Sequence, residues 1–142
     1  MFDLQTAEAQ ETSVLHLKDV QGELMHAKDA GGQELPVTVV VYGPGSDQYQ
    51  KAQLRAQRRA MQMFKKKGAK AADSRTAEER RAETAEVLAD ITVSFGNLTY
   101  KGLEGRALAL AVYQNPKLGF IADQVNSHAG DWANFTSAAQ SA

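Results

Sequence analysis

Residues 35–42 read LPVTVVVY and run straight into Gly43-Pro44-Gly45-Ser46. No other stretch restricts the fold so strongly. β-branched side chains at this density favour extended backbone, and Leu35, Val37, Val39 and Val41 share one face of it. Pro36 has no N–H to donate, so it belongs at the start of the strand or on an edge. Such a strand needs partners. Residues 13–18 (SVLHLK) place Leu15 and Leu17 on one face and Val14 and His16 on the other. A turn through Gly22 allows residues 24–27 to return as a second strand, and KDAGGQE (28–34) forms a loop. The expectation is a small N-terminal antiparallel sheet of two or three strands. Two strands alone are marginal in water, so a helix must cover it.

The remainder reads as about four helices. Ser46 is a good N-cap for a helix over 47–67, with Asp47 in the first turn where the helix dipole favours an anion. Tyr49, Ala52, Ala56, Ala60, Met63 and Phe64 form a narrow apolar stripe, and its Tyr49, Ala52, Ala56, Ala60 and Met63 face is predicted to pack on the Val37/Val39/Val41 face of the sheet. Gly68 is expected to end this helix, with 68–74 as a linker. Thr76 and Glu79 have capping-box spacing, starting a second helix near 77 with Ala85, Leu88, Ile91 and Phe95 inward. ITVSF (91–95) also alternates as a strand does, and pattern alone does not separate the two. Residues 98–105 suggest a tight turn or small hairpin. A short helix over 106–113 stops at Asn115-Pro116. Leu118, Ile121, Val125, His128, Trp132 and Phe135 then recur at three- and four-residue steps, with Gly130 placed to kink or divide the last helix. The fold class is therefore α+β: a flexible arm at 1–12, one domain over 13–136, and a flexible tail at 137–142.

Charge is segregated. Residues 1–47 carry a net of −6. Residues 48–70 hold Lys51, Arg55, Arg58, Arg59, Lys65, Lys66, Lys67 and Lys70 with no acid, and the rest nets −3. A basic block attracts phosphate or an acidic protein surface, or is the solvated face of a helix. The near-neutral total favours the solvated face of a helix docked beside its own acidic neighbour, since a nucleic-acid-binding domain is usually basic overall. Lys51, Arg55, Arg58 and Arg59 are expected to be exposed and to contribute little to folding. Cysteine is missing from the chain, which excludes disulfides, thiolate metal sites and thiol catalysis. No apolar run spans a membrane and no secretory signal opens the chain, so a cytoplasmic protein without a membrane partner is expected.

Catalytic constellations do not assemble. His16 and His26 can meet across a hairpin, but no further ligand sits at a supporting spacing for a metal. Ser46 in GPGSD lacks the Gly-x-Ser-x-Gly form, and neither a phosphate loop nor a dinucleotide fingerprint is present. The expectation is a non-enzyme without cofactor or metal. Trp132 and Phe135 end the last stripe beside the tail. They read as core anchors or as interface anchors, since Trp is enriched at binding hot spots.

The order of pieces resembles the tail assembly chaperones of siphophages and prophages. In that family a strand ending V-x-G-x-x-S precedes a basic helix. A short helix, N-P or D-P, an aliphatic helix with D-Q-V and a late N-F then follow. The matching residues are Val41, Gly43 and Ser46; Asn115 and Pro116; Asp123, Gln124 and Val125; and Asn134 and Phe135, over about residues 12–136. Family members often carry Trp within the region that reads SFGNL, where Phe95 stands here. The resemblance implies a non-catalytic assembly factor in the host cytoplasm. It would bind the tape measure protein, help recruit tail tube protein and be missing from the finished virion, with a frameshifted longer form in many phages. Self-association into a homo-oligomer is compatible with the segregated charge. The expected partner-binding residues are Ile121, Val125, Trp132 and Phe135 on the last stripe, and Lys51, Arg55, Arg58 and Arg59 on the basic helix. The rival readings are a structural virion tail or head–tail joining protein, and a nucleic-acid-binding regulator using residues 51–70.

Overall fold

A computed structural model describes the backbone of residues 1–73 and 76–136, and side chains outside 66–73. In it the 35–42 run divides at Val37 and serves two sheets. Its first part, β3 (Glu34–Pro36), pairs antiparallel with β2 (His26–Lys28). Its second part, β4 (Thr38–Tyr42), is the centre of an antiparallel sheet between β1 (Thr12–His16) and β5 (Thr92–Gly96). Three backbone hydrogen bonds close a ring where the sheets diverge. Leu17 N–H donates to Val37 O (2.9 Å), Met25 N–H to Leu17 O (2.9 Å) and Val37 N–H to Met25 O (3.0 Å). Leu17 and Val37 are buried, so these groups need protein partners. The turns at 19–23 and 29–33 are built alike. Asp19 and Asp29 each accept two backbone N–H groups on Oδ1, and Gly22 and Gly32 supply the positive φ that closes each turn.

The fold is α+β, with α1 (Asp47–Asp73), α2 (Ala77–Ile91), α3 (Gly105–Gln114) and α4 (Gly119–Ala129). Ser46 Oγ accepts from Tyr49 N–H at the start of α1, and Thr76 Oγ1 from Glu79 N–H at the start of α2. The ambiguous 91–95 segment is shared: Ile91 ends α2 and Thr92 begins β5. Thr92 Oγ1 donates to Leu88 O (2.7 Å) and lies 2.7 Å from the Tyr113 hydroxyl, easing the change from helix to strand. Gly96 is required where β5 meets β4, because a Cβ there would overlap Thr38 Oγ1. Residues 98–104 form a turn and not a hairpin.

Several expectations are corrected. α1 does not end at Gly68 but continues through Asp73, and 68–73 is helix where a linker was expected. α1 packs along α2, while α4 lies against β1 and β4. Of the α1 stripe predicted to cover the sheet, Ala52 is fully buried and Tyr49 packs on the core. Ala56 and Met63 are half-buried, while Ala60 and Phe64, placed on the same stripe, are exposed. Ile121, Val125 and Ala129 of α4 bury more apolar surface than a row of alanines, so α4 takes the place on the sheet. The segment expected as a flexible arm carries a short 3-10 turn at Leu4–Ala7. It is tied on by Gln10 N–H donating to Phe135 O (2.7 Å) and Gly43 N–H donating to Glu11 O (2.8 Å). The tail expected at 137–142 lies outside the described residues.

The last stripe is not one helix. α4 stops at Ala129, Gly130 N–H donates back to Asn126 O, and Asp131 Oδ1 caps a separate 3-10 turn at Trp132–Asn134. The break sends Phe135 fully into the core, against Gly43. A Cβ built on Gly43 would fall 2.5 Å from the Phe135 ring. Gly43→Ala is therefore expected to lower the melting temperature sharply in the wild type but little in a Phe135→Ala background, since neighbours that share one space are non-additive. Equal losses in both backgrounds would show that the ring does not need the glycine.

Candidate partner-binding surfaces

The structure separates the residues expected to bind a partner. Ile121 and Val125 are core side chains, as their place on the stripe requires, and are not open to a partner; Phe135 is also core, against the expectation that it lies near the edge. Their spacing marked a buried face, and the break at Gly130 turned Phe135 inward with them. Trp132 remains at the rim, 58% exposed, with its ring edge over Gly45, where a Cβ would lie 3.3 Å from Cζ3. Trp132, Phe135 and arm residues 6–9 line a hollow of about 250 Å³.

The basic helix also divides. Lys51 and Arg58 are exposed. Arg55 and Arg59 point toward α2, where Arg55 Nη1 lies 3.0 Å from Asp90 Oδ2 and Arg59 Nη1 lies 3.3 Å from Glu86 Oε2. Arg55 is exposed like Lys51 and Arg58, as expected, and Arg59 is half-buried; the ion pairs of Arg55 and Arg59 to α2 were not anticipated. Asp90 is the centre of the arrangement. Its side chain is 3% exposed, and Arg106 from the first turn of α3 donates to its other oxygen. The Arg55 contact is an ion pair without directed hydrogen-bond geometry. One buried carboxylate thus ties α1, α2 and α3 together. A sequence signal for it existed: Asp90 sits in the last turn of a helix, where the dipole disfavours an acid, between Ala89 and Ile91. The three charges form one wall of a groove of about 660 Å³ along β5, whose apolar lining includes Phe95, Leu98 and Leu103.

A second polar cluster latches α4 to β1. His128 Nε2 lies 2.9 Å from Ser13 Oγ, which is buried, and its ring packs against Phe135 with centroids 5.9 Å apart. Burial pushes the His128 pKa below its ordinary 6.5, and the nearby Asp131 carboxylate opposes that shift. Gln124 acts beside it as a substitute strand. Its Oε1 accepts from Lys18 N–H (2.7 Å) and its Nε2 donates to Lys18 O (2.8 Å), so the backbone just beyond β1 is partnered on the side that faces α4. His16 and His26 do meet, edge to face at 4.9 Å, but His16 Nε2 donates to Met25 O (2.8 Å). Among the described residues no cluster of three or more metal-ligating side chains forms. The Tyr113 hydroxyl, pushed up to about 12 by burial against the opposing effect of its hydrogen bond with Thr92, stays protonated. Sequence reasoning missed a further surface, the outward face of α1. There Leu54, Met61 and Phe64 are 46%, 60% and 57% exposed. Comparison with protein-family models, curated proteins and solved structures returns no match.

Two measurements check this description. Arg55→Gln and Arg106→Gln should each cost about 1 kcal/mol in urea unfolding. The double variant should cost more than the two together, because it strands a buried carboxylate. Lys51→Gln and Arg58→Gln should stay within about 0.5 kcal/mol of wild type. Strict additivity at Arg55 and Arg106 would remove Asp90 from its central role. For His128, the unfolded ring takes up a proton more readily than the folded one. Its contribution is therefore complete above 6.5 and is lost as pH falls below that value toward the lower folded pKa. Melting temperatures from about pH 8 to about pH 5 should fall more steeply for wild type than for His128→Gln. Parallel curves would exclude the histidine as the cause.

Proposed function

We propose that this protein is a non-catalytic tail assembly chaperone of a siphophage or prophage. It acts in the host cytoplasm, where it binds the tape measure protein and helps recruit tail tube subunits. The order of the motifs around Gly43, Ser46, Asn115, Pro116, Gln124 and Phe135 supports this reading. The observation that carries it is the exposed indole of Trp132, a large apolar side chain left at the rim while Ile121, Val125 and Phe135 of the same stripe are buried. An assembly chaperone needs such an anchor on a stable scaffold, so that it can hold an apolar partner without unfolding itself.

The test is co-expression with the tape measure protein encoded in the same genome. Wild type should co-purify with it. Trp132→Ala should keep the wild-type melting temperature within a few degrees and lose the partner, a loss of more than about 2 kcal/mol of binding. Phe135→Ala should instead lose about 3–5 kcal/mol of folding stability, as a buried aromatic does. If wild type does not co-purify, the chaperone reading fails. If Trp132→Ala binds as wild type does, the indole is not the anchor.

A further inference from the structure

The outward face of α1 carries a seven-residue repeat that the fold does not use. Leu54 and Met61 lie one heptad apart, and Phe64 continues the seam three residues after Met61. These are the a and d positions of a coiled-coil pattern, and all three are exposed. Lys51, Arg58 and Lys65 occupy the flanking e row at the same seven-residue step, and each is exposed. The other flank carries Gln53 and Ala60, with Lys67 at the next step of the sequence. The opposite side of the helix is taken, since Ala52 is in the core and Arg55 and Arg59 are bound to α2. We propose that this face docks an amphipathic helix of a partner protein that carries an acidic row beside its apolar seam.

Charge selects that occupant. A second copy of α1 would bring its own basic row. In an antiparallel pair Lys51, Arg58 and Lys65 would face like charges, and in a parallel pair they would face glutamine and alanine, so self-pairing gains no ion pair. A membrane surface is a poorer fit. The apolar seam is narrow, with three apolar side chains, whereas interfacial helices present a broad apolar face. A helix whose acidic side chains oppose Lys51, Arg58 and Lys65 satisfies the seam and the row together. The inference stands apart from the tape measure assignment, because it concerns a different surface and uses a different probe.

The probe is a synthetic three-heptad peptide with Leu at a and d and Glu at e and g, compared with a Lys counterpart, titrated into the full chain. The acidic peptide should bind one to one, more weakly as salt rises. The triple variant Lys51→Glu, Arg58→Glu, Lys65→Glu should weaken it at least about tenfold and prefer the basic peptide. Leu54→Ser with Met61→Ser and Phe64→Ser should abolish binding while the thermal melt stays near wild type, since these side chains contact no core. Failure of the acidic peptide to bind, or equal binding of both peptides, would overturn the proposal. So would a dimer of the protein alone that the serine variant dissolves, or sedimentation with anionic phosphatidylserine vesicles in place of peptide binding.

Discussion

The ring of hydrogen bonds among Leu17, Met25 and Val37 is where the architecture is decided. Each of these residues belongs to a different chain segment, and Leu17 and Val37 are buried, so water cannot satisfy their amides and carbonyls. Closing the ring forces the 35–42 run to leave one sheet and join another. β4 then becomes a central strand with Val39 and Val41 on the core face, and its far edge is open to β5. The helix α2 must end where β5 begins, and Thr92 manages both ends of that change through its hydroxyl. The N-terminal and central parts of the chain are thereby made interdependent, although nearly fifty residues separate β4 from β5.

The core holds together through apolar burial, but two polar centres determine how the helices are oriented. Asp90 is a buried carboxylate with a guanidinium on either side, one from α1 and one from α3. Such a group is costly alone and satisfactory only when both neighbours arrive, so it specifies one arrangement of three helices. The Ser13–His128 contact does the same for α4 and β1, and Phe135 completes it by filling the space that Gly43 leaves. Most of the fold's large apolar side chains are used in this way. Among those left exposed, Trp132 at one rim and the Leu54/Met61/Phe64 face of α1 are set on helical elements, where exposed anchors serve binding best.

Much of the secondary structure was legible because it follows from local physics. The two Asp-x-x-Gly turns, the Ser46 and Thr76 caps, the stop before Pro116 and the break at Gly130 all rest on backbone groups within a few residues of the side chain concerned. Gly68 was misread for the same reason. Glycine lowers helix propensity by about 1 kcal/mol, which a 27-residue helix can absorb. The exposed indole was anticipated as one of two possibilities, while Phe135 at three residues' distance was not distinguished from it. The heptad on α1 was present in the sequence but was masked by a competing apolar stripe of Tyr49, Ala52 and Met63 on the other side.

By itself the sequence determined the α+β class, the strands around Val39, the helix starts and the segregation of charge, since composition, capping and periodicity act over short range. Only the tertiary structure decided which helix covers the sheet, which arginines are bound and which aromatic is buried. Those outcomes depend on competition between distant surfaces for the same space. Ile121 and Val125 displaced the alanines of α1 from the sheet, and freed of that duty α1 turned Arg55 toward Asp90. Its remaining apolar residues faced outward because no other element of the described chain was left to cover them.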